Sequence, residues 1–233
     1  MTAVRALIFD FDGLLVETEL PIFQAWQRIY REHGHELPID QWMTTIGTAS
    51  AAFDPFEDLQ HRIGSALDRA NVDRLERDYY RELSALQTLL PGVQDYLRDA
   101  HHLGLKVAIA SSSSRKWVEE HLERLSIGPS AWDAIVCRED AVRTKPDPAL
   151  YLEALRRLRV LASEAIAFED SINGIRAAHD AGIFSVAVPG QMTAGQDLGL
   201  ASLRLSSLTE MPLQTLLTQV AQSSSGSGEL NRA

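Results

Sequence analysis

Along the chain, apolar positions switch between two periods. Residues 6–9, Ala-Leu-Ile-Phe, form an unbroken apolar run that stops at Asp10. A run of this kind, bounded by Asp and Gly, predicts a buried parallel strand and the loop after it. The period then changes. Ile22, Phe23, Trp26, Ile29 and Tyr30 recur mostly at spacings of three and four, which predicts a helical face, with Pro21 suited to the first turn. Up to about residue 88 only helical spacing recurs, as in Leu59, Ile63 and Leu67 or Val72, Leu75 and Tyr79. Leu90-Pro91-Gly92 is a turn signal, and after it short apolar runs alternate with amphipathic stretches. Strands are expected at 106–110, 134–136, 165–168, 184–188 and 203–205. Helices are expected at 93–103, 117–125, 149–158, 172–181 and 211–220.

Strands alternating with helices predict an α/β fold with a doubly wound parallel sheet. The helical stretch, residues 17–89, is expected to be an inserted cap of roughly 70 residues, about the size of a small domain. Residues 1–16 and 90–222 would form the core, joined to the cap through linkers at 16–21 and 88–92. The Ser/Gly-rich end, 223–233, reads as a disordered tail.

Composition narrows the possible functions. Of the residues, 45% are hydrophobic, so a sizeable core needs no staple. The single cysteine, Cys137, excludes an internal disulfide and suits a reducing cytoplasm. No apolar run nears the roughly 20 residues that span a bilayer, so no membrane association is expected. A net charge of −10 without a basic cluster argues against nucleic acid as a partner. The expected oligomeric state is a monomer, with a dimer as the alternative.

The informative polar residues cluster just after the expected strands. They are Asp10 and Asp12, then Ser111 and Ser112, then Lys145, then Glu169 and Asp170. In an open parallel sheet, ligands bind outside the carboxyl ends of the strands. Four unrelated segments would therefore meet in one pocket. Alternation along the first strand would put Asp10 and Asp12 on one side. Two carboxylates that close repel unless a cation or a proton intervenes. Asp10, Asp12, Glu169 and Asp170 are the candidate metal ligands, and an oxygen-only set beside a phosphate favours Mg²⁺. Asp10 can attack phosphorus, Asp12 can move protons, and Lys145 supplies a point charge. Ser111, Ser112 and the nearby backbone N–H groups can hold phosphate oxygens. Read singly, each has a plainer meaning: a polar loop for the serines, a surface group for Lys145, a helix cap for Glu169-Asp170. Trp26, Trp42, Trp117 and Trp132 read as packing residues.

Taken together, Asp10-Phe11-Asp12-Gly13, Ser111, Lys145-Pro146 and Glu169-Asp170-Ser171, with Gly174, Ala177, Ala178, Ala181 and Gly182 beyond, resemble the haloacid dehalogenase superfamily of phosphotransferases. The helical cap resembles that of its β-phosphoglucomutase-like branch. The resemblance implies Mg²⁺ dependence and an aspartyl-phosphate intermediate. It departs from the mutase pattern in two places. Ile22 stands where mutases have a histidine. The cap loop Gly47-Thr48-Ala49-Ser50 lacks their arginine. A mutase must hold a second phosphate, which is costly to bury without a base. The expected activity is therefore phosphatase action on a small phosphorylated metabolite, with a sugar phosphate as the candidate. A sugar phosphomutase and a non-catalytic phospho-accepting module are the alternatives. Gly47, Thr48, Ser50, Arg74 and Arg77 are the candidate substrate contacts in the cap.

Overall fold

The computed structural model describes residues 3–44, 46 and 53–226. Among the described residues six strands form one sheet: β1 (Ala6–Phe9), β2 (Lys106–Ala110), β3 (Ala134–Val136), β4 (Ala165–Glu169), β5 (Phe184–Ala187) and β6 (Leu203–Arg204). Their order is β3-β2-β1-β4-β5-β6, and each pairing is parallel. In the central register Phe9 lies opposite Ile109 on one side and Phe168 on the other. The strand ends therefore align, and the order reverses on either side of β1. That is where an open sheet leaves a crevice.

The two faces of the sheet are packed differently. Leu7, Phe9, Val107, Ile109, Ile166 and Phe168 point to α5 (Val93–His102), α6 (Arg115–Arg124) and α9 (Leu213–Gly226). The Phe9 and Phe168 rings stack at 4.7 Å, with Tyr96 of α5 edge-on to Phe168. The other face carries mainly Ile8 and the alanines 6, 108, 110, 165 and 167. Such small side chains let α7 (Ala149–Leu158) and α8 (Ile172–Asp180) lie close, through Leu150, Tyr151 and Ala178.

Between β1 and β2 lie α1 (Glu19–Glu32), α2 (Ile39–Met43), α3 (Pro55–Ile63) and α4 (Arg69–Ser84). They enclose a cluster of their own, including Phe23, Trp26, Tyr30, Trp42, Phe56 and Leu59. Met192, from the loop after β5, joins it. Asp54 and Asp68 cap α3 and α4 by accepting from backbone N–H groups of the first turn. The two connections to the sheet run side by side. Leu90 N donates to Leu15 O at 2.9 Å, and the Gln87 amide donates to Glu17 O.

The expected strands are all present, and four details differ. β1 stops at Phe9, and the chain turns through Gly13 at φ +79°, so Asp10 and Asp12 do not alternate along one strand. α6 begins earlier, at Arg115, because the Ser114 hydroxyl caps it. α9 continues to Gly226, so residues 223–226 are helical rather than a disordered tail, and 227–233 lie outside the described residues. Short 3₁₀ turns at Pro129–Ala131, Arg138–Asp140 and Ala162–Glu164 carry no periodicity that a sequence could display. No described helix is long and apolar enough to cross a membrane.

Ile8 is fully buried on the alanine-lined face. Ile8→Ala should destabilise the protein by about 2–5 kcal/mol. A urea titration should show a lower midpoint at an unchanged slope.

Candidate active site

Asp10 leaves the end of β1, its backbone N donating to Phe168 O at 3.0 Å. Its carboxylate accepts from the Lys145 ammonium, which the loop after β3 brings in. Lys145 Nζ also lies 2.6 Å from Glu169 Oε1, at the end of β4. The Tyr151 hydroxyl, on α7, donates to that same oxygen at 2.6 Å. Lys145 is only 4% exposed and Glu169 fully buried, so the lysine is no surface group. Ser171 rather than Glu169 or Asp170 caps α8, accepting from Gly174 N at 3.2 Å. Asp170 accepts from the Thr193 hydroxyl at 3.3 Å.

Two glycines make room for these carboxylates. A Cβ on Gly174 would lie 1.8 Å from Glu169 Oε2, and one on Gly13 2.2 Å from Asp170 Oδ2. Side chains at these places would collide with charged groups that have nowhere to go.

Oxygens of Asp10, Glu169 and Asp170 lie within 4.8 Å of one another. Burial raises the Asp10 carboxyl above its ordinary range; Lys145 pulls it down, while Glu169 and Asp12 push it up. Burial also lifts Asp170, reinforced by Asp10 and Glu169. Burial works against the charge on Lys145, yet Asp10 and Glu169 outweigh it and hold the ammonium above its ordinary value. Three buried carboxylates against one ammonium leave an excess of negative charge. An all-oxygen donor set of this kind fits Mg²⁺. Glu169 Oε1 is already shared by Lys145 and Tyr151, so Asp10 and Asp170 are the better placed ligands.

Asp12 lies outside that group. Its Oδ1 accepts from Thr18 Oγ1 and Trp117 Nε1, each at 2.8 Å. Its Oδ2 accepts from Ser113 Oγ at 2.6 Å and Ser111 Oγ at 3.4 Å. Four protein donors thus surround the Asp12 carboxylate, and it is not brought together with the other candidate metal ligands. Ser111 also accepts from Ser113 N at 3.0 Å, whereas the buried Ser112 hydroxyl has no hydrogen-bond partner among the described residues. Ser112 borders the cavity and is the better disposed of the two to receive a ligand oxygen.

The cavity has a volume of about 400 Å³ and opens over Asp10, Asp12, Lys145 and Asp170. Glu19, Ile22 and Ile46 contribute its wall from the helical segment. The other candidates from that segment are not brought to it. Arg74 is exposed and bonded to Asp78 and Asn71, Arg77 is exposed, and neither lines the cavity. Gly47, Thr48 and Ser50 lie outside the described residues.

Trp117, Glu19 and Arg138 are among the cavity residues outside the expected set. Trp117 is a hydrogen-bond donor to Asp12 as well as a packing residue. Glu19 opens α1; burial, then Asp12, Glu17 and Asp10, push its carboxyl up to about 8. Arg138 stands in the 3₁₀ turn after β3, where the rule that ligands meet strand ends could have pointed to it.

Residues 7–188 match the family described as haloacid dehalogenase-like hydrolase. The chain belongs to the haloacid dehalogenase-like hydrolases. Among relatives of this hydrolase, "Putative phosphatase YhcW" of Bacillus subtilis (strain 168) is 41% identical, over 92% of this chain and 96% of that protein. The phosphorylated carbohydrates phosphatase of Thermotoga maritima is 31% identical, over 77% and 82%. The crystal structure of CbbY from Rhodobacter sphaeroides in complex with phosphate superposes with a TM-score of 0.71 at 28% identity, covering 89% of this chain and 96% of that one.

Gly174→Ala should displace the Glu169 carboxylate and with it Lys145. Misplacing a reacting group by about 1 Å can cost roughly a hundredfold in rate, and a loss of that order in turnover is expected. Gly128→Ala is the control, because its Cβ would sit 3.6 Å from the Ser130 hydroxyl. Steady-state assays of both variants check this.

Proposed function

We propose that this hydrolase is a Mg²⁺-dependent phosphomonoester phosphatase acting on a small phosphorylated metabolite of the sugar-phosphate class. The observation that carries the reading is the buried cluster of Asp10, Lys145, Glu169 and Asp170 at the floor of a cavity. A carboxylate, a fixed ammonium and a further carboxylate for a cation are the groups that nucleophilic attack on phosphorus requires. Relatives named as phosphatases, one of them for phosphorylated carbohydrates, support the substrate class.

In the proposed reaction an Asp10 oxygen attacks the phosphorus and the bond from phosphorus to the ester oxygen breaks. Asp12 gives that oxygen its proton, and the alcohol leaves. Asp12 then takes a proton from water as the water oxygen attacks the acyl phosphate, which releases inorganic phosphate and restores Asp10. Lys145 holds Asp10 in place and shields the approach of the phosphate. Ser112 and the backbone amides beside it receive phosphate oxygens. Mg²⁺, held by Asp10 and Asp170 with Glu169 behind, would offset the carboxylate charge against an anionic substrate. The helical segment acts as a cap that shelters the site from water.

Hydrolysis is favoured over mutase chemistry by the cavity wall. The described residues that this segment adds to the wall include Ile22 and Ile46, whereas Arg74 and Arg77 face elsewhere. A second phosphate would find no cation from this segment among the described residues; Arg138 borders the same cavity from the core side. A non-catalytic module would not need a cap over its site. The protein acts as a cytoplasmic monomer in this reading, consistent with its one buried cysteine.

The test is a screen for phosphate release from sugar, nucleotide and glycolate phosphates, run beside a glucose 1-phosphate to glucose 6-phosphate conversion. Phosphate release without isomerisation is expected. Asp10→Asn should abolish it, and Asp12→Asn should slow it by roughly 10²–10⁴. Efficient isomerisation with little release would overturn the reading.

The carboxylates also fix the sign of a pH effect. Groups held protonated by the fold bind more protons in the native than in the unfolded state. Stability without metal therefore falls as pH rises through the ordinary carboxylate range, about 4. The fall continues towards about 8, where Glu19 ionises. Mg²⁺ competes with those protons, so it should raise the unfolding temperature more at about pH 8 than at about pH 5. Thermal melts with EDTA and with Mg²⁺ at both values would show this, and equal shifts would count against it.

A further inference from the structure

We propose that Trp117 is a positioning residue for Asp12 and that Tyr80 and His121 set the plane of its indole, which ties the helical segment to the proton-transfer group. The inference rests on the reading of Asp12 as general acid and base. Trp117 and His121 belong to α6, whereas Tyr80 belongs to α4. The Trp117 indole donates to Asp12 Oδ1 at 2.8 Å. The Tyr80 ring lies 5.1 Å from the indole, and the His121 ring 4.3 Å from it. Tyr80 and His121 are buried.

The hydrogen bonds orient this cluster without ambiguity. His121 Nδ1 is 2.8 Å from Trp117 O, which can only accept, so Nδ1 carries the hydrogen. Burial disfavours the charged imidazolium, so Nε2 is the acceptor and the Tyr80 hydroxyl donates to it at 2.5 Å. Phe11, next to both aspartates, closes the cluster edge-on to His121 at 5.9 Å. A helix of the inserted segment thus grips α6 one turn beyond the indole that touches Asp12.

An indole N–H donates and cannot accept. Asp12 Oδ1 faces the Thr18 hydroxyl as well as the Trp117 indole, and the indole N–H, which cannot reverse its role, keeps that oxygen an acceptor. Oδ2 faces the hydroxyls of Ser113 and Ser111, which can reverse their roles, so it is the oxygen able to carry a proton to a leaving group. Trp117 thereby selects which oxygen does the work and fixes the plane of the carboxylate. A residue that only filled space would do neither.

The experiment exploits the leaving group. An aryl phosphate such as p-nitrophenyl phosphate departs without help, whereas an alkyl phosphate such as glycerol 1-phosphate needs a proton. The ratio kcat/KM reports the step in which that proton moves. Trp117→Phe keeps the ring and removes the N–H. It should lower kcat/KM for the alkyl ester roughly tenfold or more, within the range of a general acid's contribution. The aryl ester should change by no more than about twofold, which also reports an intact fold. Tyr80→Ala should reproduce this selective loss, and Tyr80→Phe, which keeps the ring contact, should produce a smaller one. Equal losses on both esters, or no loss on either, would overturn the positioning role alone. A wild-type protein that releases phosphate from neither ester would overturn the phosphatase reading and this inference with it.

Discussion

The Lys145 ammonium, buried between Asp10 and Glu169, is the interaction on which the site depends. Three elements that are remote in sequence meet at this one charge: the end of β1, the loop after β3 and the end of β4. A buried charge is tolerated only when its partners are fixed, and removing one member of such a pair costs about 3–5 kcal/mol. The surroundings supply that fixity. Tyr151 donates to Glu169, and the bare backbone of Gly174 leaves space for its carboxylate. The nucleophile candidate is therefore oriented by the same ion pair that holds the sheet's carboxyl edge together.

Around that pair the charges remain unbalanced, which is what fits the site to a cation and then to an anion. Burial and mutual repulsion hold Asp10 and Asp170 towards protonation. Asp12 is treated differently: it is surrounded by hydroxyls and an indole. Two aspartates separated by one residue thus occupy unlike environments, which suits the different roles proposed for them. β1 ends at Phe9, before either of them, so strand alternation does not hold them to one side.

Much of this was legible in the sequence because buried parallel strands are written as apolar runs and their ends as abrupt polar residues. Asp10, Lys145, Glu169 and Asp170 could be placed together by that rule alone. Other parts were not legible, for identifiable reasons. A tryptophan at helical spacing looks the same whether its N–H is idle or bonded to Asp12. Arg74 and Arg77 are plausible contacts in the sequence, but the packing of α4 against α1 decides which face of the helix turns outward: Val72 and Tyr80 lie on the inner side, and both arginines are exposed. Arg138 sits in a turn too short to have a period. Ser111 and Ser112 are neighbours of one type, and only the backbone path decides that the first serves Asp12 while the second faces the cavity.

The unequal faces of the sheet have a further meaning. On the side of α7, alanines at 108, 110, 165 and 167 make the layer thin, and Tyr151 belongs to the helix that rests on it. The Tyr151 side chain has one fixed length, so the gap between helix and sheet must suit it if its hydroxyl is to meet Glu169. The alanines act as spacers, and their size is a gauge. A stretch of core far from solvent and without a polar atom in its side chains thereby sets the reach of a hydroxyl at the catalytic edge.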